Sequence, residues 1–127
     1  MTQRDKRITV PFGDVMTPEQ RISRILEIIE DLFPLALLAH DEFRKEDNRE
    51  EAAAYAAALG RCASKLPPEF VEKHPEIDWL ALEDFRYTAF HDGIDVLILR
   101  DQLQEKLPVL REQLEKILAS AGPESKE

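Results

Sequence analysis

Apolar residues recur at helical spacing along almost the whole chain, and prolines and capping residues divide that pattern into segments. Ile22, Ile25, Leu26, Ile29, Leu32 and Phe33 fall on one face at a 3.6-residue period. Tyr55, Leu59, Cys62, Ala63 and Leu66 form a second stripe, and Trp79, Leu82, Phe85 and Ala89 a third. Leu99, Leu103, Leu107, Leu110, Leu114 and Ile117 form a fourth. Each stripe must be buried against another, so the chain is expected to be all-α, an up-down bundle of four main helices plus a short connecting one. No stretch reads reliably as a strand.

The local signals set the expected boundaries. Thr17, Pro18 and Gln20 make a capping-box start for the first helix. Pro34 should kink or break it, and the apolar pattern resumes through Leu37, Leu38 and Phe43. The charged run from Asp41 to Glu51 reads as a solvated helix end and loop. A second helix is expected from about Arg49 to Leu66, where the alanines at 52–58 favour helix and allow a neighbour to approach closely. Pro67-Pro68 ends it, and Pro68 can open a short turn from Glu69 to Lys73 that His74-Pro75 breaks. Asp78 caps the next helix. Gly93 can supply a left-handed turn after it. Asp95 can cap a last helix from about Val96 to Ser120, bent at Pro108 and stopped by Gly122-Pro123. The expected organisation is an extended or flexible arm over 1–16, a helical domain over 17–121 and a tail over 122–127.

Composition narrows the function. The chain has 127 residues, 17 basic and 26 acidic, for a net charge of −9. Long-range attraction to nucleic acid or an anionic membrane is therefore not expected. Any RNA must be held by a local cationic patch, and the acidity also suits a basic protein partner. The single cysteine, Cys62, excludes an internal disulfide and reads as a buried structural thiol. Together with residues 1–16, which lack an apolar segment behind a basic start, it implies a cytoplasmic protein. The longest apolar run, Leu32 to Ala39, is too short to span a bilayer, so no membrane partner is expected.

Arg86 and His91 are the candidate catalytic residues, although their spacing alone reads equally as surface salt-bridge residues. A fixed cation beside a group that titrates near neutral pH can serve phosphodiester chemistry. On an ideal helix, five residues turn through about 500°, leaving the two side chains roughly 140° apart. They converge only if the helix ends near Ala89 or Phe90, or if a second subunit supplies the other half. Asp84 and Asp92 flank the pair, and either could orient His91. Tyr87 is one residue past Arg86 and points elsewhere on the helix. His40 and His74 read as surface or capping residues. The sequence has no His-x-x-x-His motif, paired cysteines, glycine-rich phosphate loop or serine elbow, so no metal or cofactor is expected.

The segment from about Ala53 to Leu118 resembles the HepT-like branch of the HEPN superfamily. Leu59-Gly-Arg-Cys-Ala-Ser-Lys-Leu66 is similar to that family's Gly-Glu-Ala-x-x-x-Leu helix end. Pro68-Glu-Phe-Val-Glu-Lys-His-Pro-Glu-Ile-Asp-Trp79 is similar to its connector, and Arg86-Tyr-Thr-Ala-Phe-His91 to its Arg-Asn-x-x-x-His motif. Ile94-Asp-Val and Leu107-Pro-Val-Leu110 match the family pattern C-terminal to that motif. The resemblance implies a homodimer in which Arg86 and His91 of both subunits meet in a cleft. It also implies metal-independent endoribonuclease activity, as a toxin paired with an MNT-type nucleotidyltransferase antitoxin. Arg86 would stabilise phosphorane charge, and His91 would act as general acid and base for attack by a ribose 2′-hydroxyl.

The chain departs from the family pattern at three positions. Tyr87 stands for the motif asparagine and Arg61 for the glutamate. Gly93 stands where the family's AMP-accepting tyrosine would be. Two functions compete on these grounds. One is an RNA-cleaving toxin, attenuated by the departures. The other is a catalytically degenerate homodimer that binds a nucleotidyltransferase or another protein. A generic helical dimer with no nucleotide-related role is the third reading.

Overall fold

A computed structural model describes the backbone of residues 16–91, Gly93 and 95–125, with side chains through Ser120. The expected arm, apart from Met16, lies outside the described residues. The described residues form six helices: α1 (Pro18–Ala36), α2 (His40–Arg44), α3 (Glu46–Ser64), α4 (Pro68–Lys73), α5 (Trp79–Phe90) and α6 (Val96–Ser125). The four longer helices form a ring in which α3 packs on α1 and α5, and α6 closes the ring against both. No strand occurs among the described residues.

Thr17 and Gln20 form the anticipated reciprocal cap. The Thr17 hydroxyl accepts from the Gln20 amide at 3.1 Å, and the Gln20 side chain accepts from the Thr17 amide at 2.9 Å. Pro34 lies inside α1, which ends two residues later at Ala36. The carbonyls left over there are taken up across the bundle. Arg100 Nε donates to the Leu38 carbonyl at 2.8 Å, and Gln104 Nε2 donates to that of Ala36 at 2.8 Å. The break at Pro34 thus becomes a joint between α1 and α6, because buried or half-buried carbonyls require donors.

The run from Asp41 to Glu51 departs from expectation. It is helical except at Lys45, forming α2 and the first turns of α3. Phe43 is fully buried and ties α2 to the core. The flanking Glu and Arg residues are good helix formers with their charges outward. Asn48 Nδ2 donates to the Glu42 carbonyl at 2.8 Å across the joint. The helix α3 therefore begins at Glu46, with Glu46 and Asp47 at its positive end. There are two short helices rather than one.

The fourth main helix also exceeds its expected length. It continues through Pro108 and past Gly122-Pro123 to Ser125. Proline's fixed φ is itself helical, so each ring removes one backbone bond without forcing the chain to turn. The core contains every member of the predicted α6 stripe, from Leu99 to Ile117, packed with Ile22, Ile25, Ile29 and Leu32 of α1. Among the described residues no helix is long and apolar enough to cross a membrane.

Asp95 starts α6 as anticipated, accepting from the Leu97 amide at 2.9 Å and from Arg44 at 3.2 Å. The Leu97 amide first, and then Arg44, hold its carboxyl below the ordinary carboxylate value. A carboxyl depressed in the folded state stabilises the fold above its unfolded pKa and loses that contribution as pH falls through its folded pKa. Acidification below about pH 4 should therefore lower the melting temperature of the wild type more steeply than that of Asp95→Asn, whose amide caps without titrating. Thermal melts followed by circular dichroism between pH 3 and pH 7 would measure the difference.

Candidate functional site

The connector before α5 is pinned at both ends. The Trp79 indole donates to the His74 carbonyl at 3.0 Å, and Ile77 is buried. His74 caps the end of α4, with Phe70 against its ring at a centroid distance of 4.7 Å. Asp78 accepts from the Ala81 amide at 3.1 Å and pairs with Lys106 at 3.3 Å. These contacts fix the start of α5 and hence the rotation of its faces. Ala81, Leu82, Phe85 and Thr88 point inward. Leu80, Tyr87 and Phe90 point outward and are 74%, 59% and 61% exposed.

Gly60 sets how closely α5 approaches α3. A β-carbon at that position would lie 3.3 Å from Arg86 Cδ and 3.5 Å from the Leu82 carbonyl oxygen. The aliphatic stem of Arg86 therefore lies over the α3 backbone, which aims its guanidinium along the outer side of the α3–α5 seam. Its ion pair with Glu83 is long, 3.9 Å, and both side chains are about half exposed, so the pair holds the guanidinium weakly.

The geometric condition on His91 is met. The helix α5 ends at Phe90, and His91 takes an extended conformation with φ −89° and ψ 120°. Gly93 follows at φ +91°, in the left-handed region open to glycine. Arg86 and His91 then line one open groove of about 580 Å³, together with Ala57, Arg61, Glu83, Tyr87 and Phe90. Tyr87 also joins the site, contrary to the sequence expectation. Its ring stacks on His91 with centroids 4.6 Å apart and planes 23° apart. The i to i+4 spacing of Tyr87 and His91 is the signal that could have indicated this.

Three other expectations change. Asp84 is not among the groove residues, where Glu83 takes its place, and Asp92 lies outside the described residues. Arg61 enters the sequence reading only as a departure, yet it lines the groove beside Arg86. Cys62 is half-buried and lines a second groove, between α1 and α3, rather than lying in the core. Among the described residues, no group of three or more His, Cys, Asp or Glu side chains is placed to hold a metal ion. The groove combines two guanidinium groups, an imidazole, a phenol and an apolar ring. Such a set can hold a phosphodiester anion and stack a base beside it.

Similarity to known proteins covers about three quarters of the chain. The chain is 26% identical over 99 residues to the probable ribonuclease HepT of Thermococcus cleftensis, covering 76% of this chain and 88% of that protein. It is also 26% identical over 98 residues to a Methanocaldococcus jannaschii protein provisionally named an RNase, covering 74% and 81% of the two chains. A third match, at 26% over 106 residues, is a Caldanaerobacter subterraneus protein named in the same way, with 80% and 95% covered. The chain is thus similar to HepT-type and other RNase-named proteins over about three quarters of its length. No family profile and no solved structure matches it. Of the residues in the family-like motifs, Arg61, Arg86 and His91 line the groove.

Proposed function

We propose that this HepT-like chain is a metal-independent endoribonuclease whose working site forms when two copies pair along α5, and that a nucleotidyltransferase of the MNT type is its antitoxin. The observation that carries the reading is the single groove holding Arg86 and His91 beside an exposed apolar stripe. Leu80, Tyr87 and Phe90 fall within about 80° of helix surface. A second copy would bury them and bring the two grooves together around a two-fold axis. Three relatives named as ribonucleases support the substrate class.

The reaction then needs only the RNA and these side chains. One His91 removes the proton of a ribose 2′-hydroxyl, and the 2′-oxygen attacks the adjacent phosphorus. The P–O5′ bond breaks, and the partner copy's imidazole gives a proton to the leaving 5′-oxygen. The products are a 2′,3′-cyclic phosphate and a 5′-hydroxyl. Arg86 stabilises the charge that accumulates on the phosphorane oxygens. The Tyr87 ring limits the swing of His91 and so helps to fix the direction in which it exchanges the proton.

The double substitution Leu80→Glu with Phe90→Glu tests this reading. Both residues are exposed, so the monomer should keep its fold, while two carboxylates at the seam should prevent pairing. The expected result is a monomer by analytical ultracentrifugation, with RNA cleavage lost. A wild type that is monomeric and still cuts RNA would rule out the shared site. A second reading, a non-catalytic binding module, is favoured by the Tyr87 ring stacked over the His91 imidazole. Purified wild type that cuts no RNA but binds a nucleotidyltransferase would select it.

A further inference from the structure

We propose that the cations on the two sides of α3 form a track for the sugar–phosphate backbone of single-stranded RNA, leading from the Arg86/His91 groove across to α1. The proposal deepens the nuclease reading and rests on it. The second groove is lined by Arg21, Arg24, Ile28, Ala58, Arg61, Cys62 and Lys65. Arg61 lines both grooves, so the two meet at its side chain. Across both, the lining includes five fixed cations, Arg21, Arg24, Arg61, Lys65 and Arg86, against one carboxylate, Glu83. That concentration stands out in a chain of net charge −9.

The pairing of these cations separates a binding role from a structural one. Among the described residues, Arg61 and Lys65 have no ion-pair partner. Arg61 lies in the last turn of α3 and Lys65 is its C-cap four residues on, where like charges repel unless an anion lies between them. The C-terminal end of α3 favours cations, which accounts for part of their placement. It does not account for Arg24, which lines the same groove from the second turn of α1. Arg24 pairs with Glu27 at 3.0 Å, and both side chains are more than half exposed, so a phosphate can displace the carboxylate at little cost. Arg21 is 5% exposed and held by contacts of its own, so it forms part of the groove wall and is not one of the binding cations. The second groove offers charge without aromatic rings, which suits a backbone and not base edges.

The test uses a 2′-O-methyl RNA dodecamer, which lacks the nucleophile and so reports binding alone. Its affinity for the wild-type chain and for the double variant Arg24→Gln/Lys65→Gln would be read by fluorescence anisotropy over a salt series, with a thermal melt to confirm folding. The variant should bind about tenfold more weakly at low salt, and its salt slope should fall by about 0.7 for each cation removed. Equal affinity and slope for the two proteins overturn the track. Displacement of the RNA by polyglutamate at lower charge concentration also overturns it, and assigns the patch to an acidic protein segment. Cleavage by the wild type is measured alongside on unmodified RNA. If the wild type cuts while the variant binds normally, the track alone fails. If the wild type neither cuts nor binds, the nuclease reading fails and the track fails with it.

Discussion

Replacing His91 with alanine should lower RNA cleavage by about 10²–10⁴-fold, the range for loss of a positioned general acid or base, and leave the melting temperature within error of the wild type. The two halves of this expectation come from different features. His91 lies past the end of α5, is exposed, and stacks only on the exposed Tyr87, so the core does not depend on it. Within the groove it is the one histidine, and the substitution removes the partner copy's imidazole as well, so none remains to transfer a proton. Arg86 calls for a different substitution, because its aliphatic stem packs over Gly60. Arg86→Gln keeps most of that contact and removes the charge. The expected loss is about 10²–10³-fold, as for other donors aimed at developing anionic charge. Single-turnover cleavage of a fluorescent RNA, paired with thermal melts, measures both. Activity that survives both substitutions would move the chemistry to another part of the molecule.

Features decided within a few residues were legible in the sequence. The Thr17/Gln20 cap, the Pro68 turn, the Asp78 and Asp95 caps and the positive φ of Gly93 each depend on local backbone chemistry, and each is found where expected. The α6 stripe was legible because its period is sustained over several turns. Features decided across the bundle were not. The helix α2 hangs on Phe43 alone in a charged run, and only the cavity it fills shows that it belongs to the core. The extent of α6 beyond Pro123 was obscured by a residue that can both end a helix and lie within one. At the site, the spacing of Arg86 and His91 stated a condition, an early helix end, but could not show that it was met. Arg61 and Tyr87 were visible only as departures from a pattern. Their place in the groove follows from how closely α3 and α5 approach at Gly60, a long-range fact.

A second large effect is expected at Phe85, whose side chain is 1% exposed in the core immediately before Arg86. Phe85→Ala should cost about 3–5 kcal/mol, the range for removing a buried phenyl ring and leaving a cavity. For a domain of this length that corresponds to a fall in melting temperature on the order of 10 °C. The loss should concentrate in α5. That helix has 12 residues and buries only Ala81, Leu82, Phe85 and Thr88, so most of its anchoring is one large ring and one leucine. A helix this short is marginal without tertiary packing. Amide exchange in α5 should therefore accelerate more than in α1 or α6, and the Arg86/His91 geometry should loosen with it. Phe90→Ala is the matched control, with the same atoms removed from the same helix but from a ring 61% exposed. In the monomer it should change stability by no more than about 0.5 kcal/mol. Equal destabilisation by the two substitutions would mean that α5 is rotated from the orientation described. A large difference would fix its inner face, and with it the direction in which Arg86 and His91 point.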